Sequence, residues 1–415
     1  MNRKFDIVLW GATGFTGKLV AEYFLEEYGV NKTLKWAIAG RNKGKLNKLR
    51  QELTPDNIVK IPILIGDSHD INSLNKIALD TNVICSTIGP YLKYGSEIMK
   101  ACIDNNTNYC DITGETPFIK DNIKLYHKIA SEQKIKIVHC CGYDSIPSDL
   151  GCLMVQDFSI RTHGNPCQDV LFYAGKTKGG FSGGTIASMI NMKEKSKFNK
   201  DMRNTLKDPY ALNMIDKNKG NDDLGQRDIK WDSDLKVWTG PFIMSMINTR
   251  VVRRTNELLD LKYGNSFSYQ EVMTFPLGYL NKIRAQIFRF SLGLMGKVLD
   301  NQILCYILKK FILPSAGEGP SKLERENGYF NVTLIGKGKT KSGQVYKVKG
   351  SIYGDKDPGY SGTARMLGES AVCLALDNDL LPKRYGILTP ASALGKILIE
   401  RLKDKGMKFN VEKYN

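Results

Sequence analysis

Asp6-Ile-Val-Leu-Trp-Gly11-Ala-Thr-Gly14-Phe-Thr-Gly17, running on into Lys18-Leu-Val-Ala-Glu-Tyr-Phe-Leu25, is the stretch from which the rest of the chain is read. An apolar run stops at Gly11 and an amphipathic helical pattern starts at about Phe15, so the segment reads as strand, tight turn and helix. Gly11 permits the turn, Gly14 lets a phosphate approach the backbone, and Gly17 lets helix and strand pack closely. The residues between them, Thr13, Phe15 and Thr16, complete a turn whose free N–H groups and helix dipole suit a pyrophosphate. The spacing is GxxGxxG rather than the commoner GxGxxG, and glycine turns of this kind recur in many folds. The context strengthens the reading: the triplet follows a buried-type strand at the N-terminus and opens a βαβ-like unit.

The second strand addresses the cofactor. Leu34-Lys-Trp-Ala-Ile-Ala-Gly40-Arg41-Asn42 ends where a Rossmann unit places its ribose-reading residue. An NAD site offers Asp or Glu there to accept from the 2′-hydroxyl. This chain offers Arg41 with Lys45 a turn on, and a guanidinium matches a 2′-phosphate, so the expected cofactor is NADP(H). Farther along, Asp67 closes the third strand where adenine contacts are common, and Thr87 and Gly89 follow the fourth, beside the expected nicotinamide. Strands alternating with helices through residue 150 make a doubly wound parallel sheet.

With 415 residues the chain is long enough for two domains, and 42% hydrophobic and 25% charged residues describe an ordinary globular composition. The net charge of +17 favours an acidic partner or surface. Nucleic acid is not expected, because the cations are scattered lysines rather than an Arg-rich arm or a recognition module. Nine cysteines without a CxxC pair read as reduced core residues, with no metal site expected. The first strand begins almost at once, leaving no room for a signal peptide, so the chain reads as cytoplasmic. The four histidines are isolated and signal no Ser/His/Asp triad, which favours hydride transfer over hydrolysis.

Beyond residue 150 the pattern changes to longer strands, an alternating hairpin at Tyr329–Ile335 and Val345–Tyr353, and helices. The division expected is a Rossmann domain at 1–150, a mixed α/β substrate or oligomerisation domain at 151–386, and a C-terminal helix at 387–415 packing back on the first. Phe275 to Leu313 is apolar at helical spacing, yet Arg284, Arg289, Lys297, Asp300, Lys309 and Lys310 interrupt it before it could span a bilayer. It reads as a core or homodimer helix, or as an amphipathic face meeting lipid or a long acyl chain.

These stretches together resemble the saccharopine dehydrogenase-like oxidoreductases, in the branch of trans-acting enoyl reductases. The likeness is carried by Gly11-Ala-Thr-Gly14-Phe-Thr-Gly17, Gly40-Arg41, Gly89-Pro90-Tyr91, Tyr109-Cys-Asp111-Ile-Thr-Gly114-Glu115 and Gly142-Tyr143-Asp144-Ser145-Ile-Pro147-Ser148-Asp149. It continues through Asp208-Pro-Tyr-Ala-Leu212, Gly317-Glu-Gly-Pro320, Asp357-Pro-Gly-Tyr360 and Leu388-Thr-Pro-Ala-Ser392, and so covers nearly the whole chain. The resemblance implies NADPH-dependent reduction of a carbon–carbon double bond in a polyketide or fatty-acyl substrate, borne on a carrier protein or coenzyme A. It implies lipid metabolism, with contact at a membrane or lipid surface. The alternatives are a saccharopine-type reductase of an imine or carbonyl amino-acid substrate, and a non-catalytic NADP-binding scaffold on a lipid surface. The resemblance assigns no proton donor. Tyr91, Tyr143 and Asp144 are the candidate catalytic residues; Asp111 and Glu115 read equally as acid/base groups or strand-end turn residues, and Asp144 as a cleft residue or a turn cap.

Overall fold

A computed structural model describes residues 3–55, 60–179, 183–214, 220, 222–301 and 319–414. Two seven-stranded sheets account for all fourteen strands of the described residues. The first contains β1 (Phe5–Trp10), β2 (Trp36–Gly40), β3 (Ile63–Ile65), β4 (Thr81–Ser86), β5 (Asn108–Asp111) and β6 (Lys136–Val138). The second is built on β7 (Asp169–Lys178), β8 (Lys230–Asp232), β9 (Val237–Pro241), β10 (Ser268–Phe275), β11 (Tyr329–Lys339) and β12 (Val345–Gly354). Near the C-terminus β13 (Gly386–Leu388) and β14 (Lys408–Tyr414) divide between them.

The first sheet runs β13-β6-β5-β4-β1-β2-β3 and every recorded pairing in it is parallel. Its strands read Ile-Val-Leu-Trp or Trp-Ala-Ile-Ala because helices cover both faces and leave no solvent side for polar residues. Order reverses about β1 and β4, so the crevice at the carboxyl ends of these two strands is where a dinucleotide belongs. The second sheet runs β14-β12-β11-β7-β10-β9-β8 and is antiparallel except between β7 and β10.

The chain does not finish one half before starting the other. Helix Thr363–Leu376, buried for almost its whole length, leaves the second sheet and packs against β1, β4, β5 and helix Phe15–Tyr28. Its fully buried Glu369 accepts from Tyr23 and Tyr28 at 2.5 and 2.6 Å and pairs with Arg401 at 3.3 Å. Then β13 adds to the edge of the first sheet and β14 returns to the second. The stretch after residue 387 is thus two helices, Pro390–Ala393 and Gly395–Asp404, followed by a strand.

Of the apolar stretch beginning at Phe275, the described part forms helix Tyr279–Asp300. Asn281, Ala285, Phe288, Leu292 and Gly296 turn inward, while Leu280 is 69% and Phe290 74% exposed. Residues 302–318, with Lys309, Lys310 and the first half of the Gly317–Pro320 motif, lie outside the described residues, as do residues 180–182. No helix of the described residues is long and apolar enough to cross a membrane.

Candidate active site at the strand ends

Each glycine of the first turn has its own geometric reason. Gly11 sits at φ +91°, and a Cβ there would stand 2.5 Å from Ile88 Cγ1 and 2.9 Å from Thr87 Oγ1. At Gly17 a Cβ would stand 2.3 Å from the carbonyl oxygen of Gly11, so helix and turn touch backbone to backbone. Gly14 is different: its φ of −73° suits any residue, and a Cβ would meet only the Gly11 oxygen at 3.4 Å. The space it leaves faces outward from the N-terminus of helix Phe15–Tyr28, where an incoming phosphate would sit. Thr87 donates to the carbonyls of Trp10 and Gly11 at 3.3 and 3.2 Å, tying the end of β4 to the turn.

Arg41 emerges exposed from β2, and its guanidinium meets no hydrogen-bond or ion-pair partner among the described residues. Asn42 caps the next helix by accepting from Lys45 N at 2.9 Å, leaving the Lys45 ammonium on the same exposed turn. Asp67 accepts from His69 N at 2.9 Å within its own turn. An open phosphate cradle followed by a free guanidinium, with no acid at the end of β2, fits NADP(H) and would leave a bare ribose hydroxyl without an acceptor.

Behind the loop that follows β4, Glu115 is fully buried and spent on structure. Its carboxylate accepts from Tyr91 N at 2.8 Å, Leu92 N at 2.9 Å and Ser188 Oγ at 2.7 Å, which pins the Gly89-Pro90 loop to helix Gly183–Phe198 of the second half. Asp111 is equally occupied, accepting from His139 Nδ1 at 2.8 Å, Tyr109 at 3.0 Å and the backbone N–H of Thr113 at 3.1 Å. Of the two sequence readings of these acids, the geometry matches strand-end structure.

Two cavities meet here. The larger, about 520 Å³, runs from Thr16, Thr87, Gly89, Ile112 and Gly114 outward between three helices. Met189 and Met192 come from Gly183–Phe198, Met246 and Ile247 from Ser245–Leu258, and Leu292 and Met295 from Tyr279–Asp300. Its two cations are committed: Lys193 donates to Gly296 O at 2.6 Å, and Arg250 to the carbonyls of Asp208 and Leu206, both at 2.9 Å, and of Met246. The smaller, about 130 Å³, lies between Tyr143, Thr177, Phe242 and Pro358. Thr16, Ile112, Met244 and Asp144 line both.

The three candidate catalytic residues part company in this setting. Tyr91 is buried, its hydroxyl donating to Ser86 O at 3.1 Å and accepting from Ile112 N at 3.4 Å, and burial pushes its phenol well above the ordinary value. Tyr143 stands edge-on to Phe330 at 4.9 Å, and burial raises its phenol too. Asp144 presents its carboxyl to both cavities, with burial lifting it to about 7. The methionine lining escaped the sequence reading. Its signal is the spacing Met189/Met192 and Met244/Met246, which puts a soft, adaptable thioether surface on two helices.

Comparisons with known proteins bear on the family, the cofactor and the fold. Residues 7–138 match the saccharopine dehydrogenase NADP-binding domain family. A Mycobacterium tuberculosis protein provisionally designated a trans-acting enoyl reductase is 37% identical, over 98% of this chain and 97% of its own length. A trans-acting enoyl reductase of Mycobacterium leprae is 33% identical over the same shares. Among solved structures, apo saccharopine dehydrogenase (L-Glu forming) from Saccharomyces cerevisiae superposes with a TM-score of 0.56, covering 99% of each chain at 14% identity, a likeness of fold.

Proposed function

We propose, for a chain that belongs to the trans-acting enoyl reductase branch of the saccharopine dehydrogenase-like oxidoreductases, that it reduces the carbon–carbon double bond of a polyketide or fatty-acyl thioester presented by a separate carrier. The protein is an NADP(H)-dependent oxidoreductase. When bound, NADPH supplies the hydride. The observation that carries the acyl assignment is the larger cavity, which begins at Thr87 and Gly89 and is walled mainly by Met, Ile and Leu. An amino-acid substrate of saccharopine type would need unspent cations for its carboxylates, whereas Lys193 and Arg250 already hold backbone carbonyls. Thr87 and the Glu115-held loop keep the backbone at the nicotinamide end in place, and the apolar walls exclude water from the acyl chain.

The mouth of that cavity points to how the substrate arrives. Leu280, Ile283, Ile287, Phe290 and Leu294 form one outward stripe on the helix whose inner side carries Leu292 and Gly296 into the cavity. Arg284 and Lys297 border it, while Lys282 lies over the Trp238 ring and Arg289 pairs with Asp228 at 2.8 Å. An anionic lipid surface would meet this apolar stripe and its bordering cations and let an acyl chain enter without crossing water.

NADPH oxidation measured against enoyl thioesters of graded length tests the activity. Turnover that rises with chain length supports the reading; turnover only with imines or oxo acids, or none at all, removes it. Co-sedimentation with phosphatidylserine vesicles tests the surface, and no binding at low salt, or binding only to an acidic carrier protein, removes that part.

A further inference from the structure

We propose that Asp144 is the general acid that delivers the proton completing each reduction, an inference that rests on the reductase reading and adds the donor to it. Among the described residues Asp144 is the only acidic side chain lining either cavity, and it lines both. It sits in the turn after β6, just ahead of helix Ile146–His163, where the carboxyl end of a parallel sheet directs functional groups into the cleft. Thr16, from the cofactor turn, lines the same two cavities, which places the carboxyl on the route from cofactor to acyl chain.

No described residue gives this carboxyl another task. It accepts no hydrogen bond and forms no ion pair with any described residue. Gly114 packs beside it, with a Cβ there standing in ordinary contact at 3.7 Å from Asp144 Oδ2. The other buried acids are occupied: Glu115 accepts three donors, and Glu271 accepts from Asn248 and Tyr269, both at 2.9 Å, away from the cavity linings. Asp149 accepts from Thr255 at 2.5 Å and from Ala391 N at 2.7 Å. The neighbours that interact with Asp144 electrically are Cys140 and Tyr143, with Glu271 facing Tyr143 behind it; all are neutral or anionic, and no cation offsets the burial. A carboxyl at about 7 in this position keeps a proton available near neutrality and can release it, which is what acid catalysis requires.

After hydride has reached the β-carbon of an enoyl thioester, the enolate pair takes the Asp144 proton at the α-carbon. A C–H bond forms, the carboxyl O–H breaks, and the carboxylate regains a proton from water entering the cavity mouth. Hydride and proton together add two hydrogens across the double bond; the acceptor is reduced and the nicotinamide oxidised. Imine and carbonyl acceptors need a proton at the same stage, so the assignment stands apart from the choice of acceptor.

The test uses the full chain and whichever acceptor the substrate panel identifies. Asp144→Asn should lower kcat by about 10²-fold or more. NADPH affinity, read from nicotinamide fluorescence, should stay within about 2-fold, a readout independent of turnover. The acid form is lost as pH rises through about 7, so wild-type kcat should fall across that value and the variant should lack this limb. Asp144→Glu should recover part of the rate. In the protein alone, an infrared difference between wild type and Asp144→Asn at pH 6 should show a protonated carboxyl. Turnover of the Asn variant within about 3-fold of wild type, or no carboxylic-acid band in the difference spectrum, overturns the proposal. Reduction of an imine instead of an enoyl thioester overturns the substrate reading and leaves the Asp144 arms to be scored on that imine.

Discussion

The cofactor end and the proposed acyl end of this site lie in one cleft and are made of different materials. The cofactor end is backbone: the turn Gly11–Gly17 has no room for a side chain at two of its glycines and an opening at the third. The acyl end is side chain: three helices from residues 183–198, 245–258 and 279–300 contribute methionine, isoleucine and leucine to one apolar space. Backbone geometry tolerates almost no substitution, whereas a thioether-lined wall accommodates many apolar combinations. The first kind of site should break abruptly under mutation and the second should degrade by degrees.

Gly17→Val is the harshest test. Its branched side chain would collide with the Gly11 carbonyl, and the loss of folding stability should be about 3 kcal/mol or more, read by urea denaturation. A loss below about 1 kcal/mol would show that helix and turn can separate, and the contrast would fail at its root. Gly14→Val should instead leave far-UV circular dichroism and stability near wild type while removing NADPH binding, because only the cofactor's space is filled. Normal NADPH binding by that variant would make the turn purely structural. Arg41→Ala is milder, costing about 1.5–3 kcal/mol of NADPH affinity and leaving NADH almost unchanged. An equal loss for both cofactors would remove the 2′-phosphate assignment. Smallest is the acyl wall: Met189→Ala with Met192→Ala should raise KM several-fold for long-chain acceptors, with kcat and short-chain KM little changed. A change of kcat comparable to that of KM would mean these methionines position the reacting carbon as well as the tail.

The same contrast explains what could be read in advance. Gly11, Gly14, Gly17 and Arg41 are local signals, each interpretable from neighbours a few residues away, and they carried both the parallel sheet and the NADP(H) expectation. The mixed second sheet was legible at its hairpin, where β11 and β12 are adjacent in sequence. It was hidden where β7 pairs with β10 across about a hundred residues. Glu115 read equally as an acid/base group or a strand-end turn residue; its three hydrogen bonds come from Tyr91, Leu92 and Ser188, which lie 24, 23 and 73 residues away. Asp144 was one of three catalytic candidates in a polar run, and what distinguishes it from the other two, the lack of partners beside a cavity, is a property of the assembled molecule.

The return of helix Thr363–Leu376 and β13 to the first sheet sets the order in which this protein can be made. A ribosome will have released the glycine turn and all six N-terminal strands of that sheet long before the residues that cover and extend it emerge. Until about residue 388 leaves the exit tunnel, β6 has a bare edge and the nascent half exposes the apolar surface that the 363–376 helix will later cover. The cofactor half is therefore completed late in synthesis despite its early position, and a gene truncated near codon 150 should yield aggregate in place of a separable nucleotide-binding module.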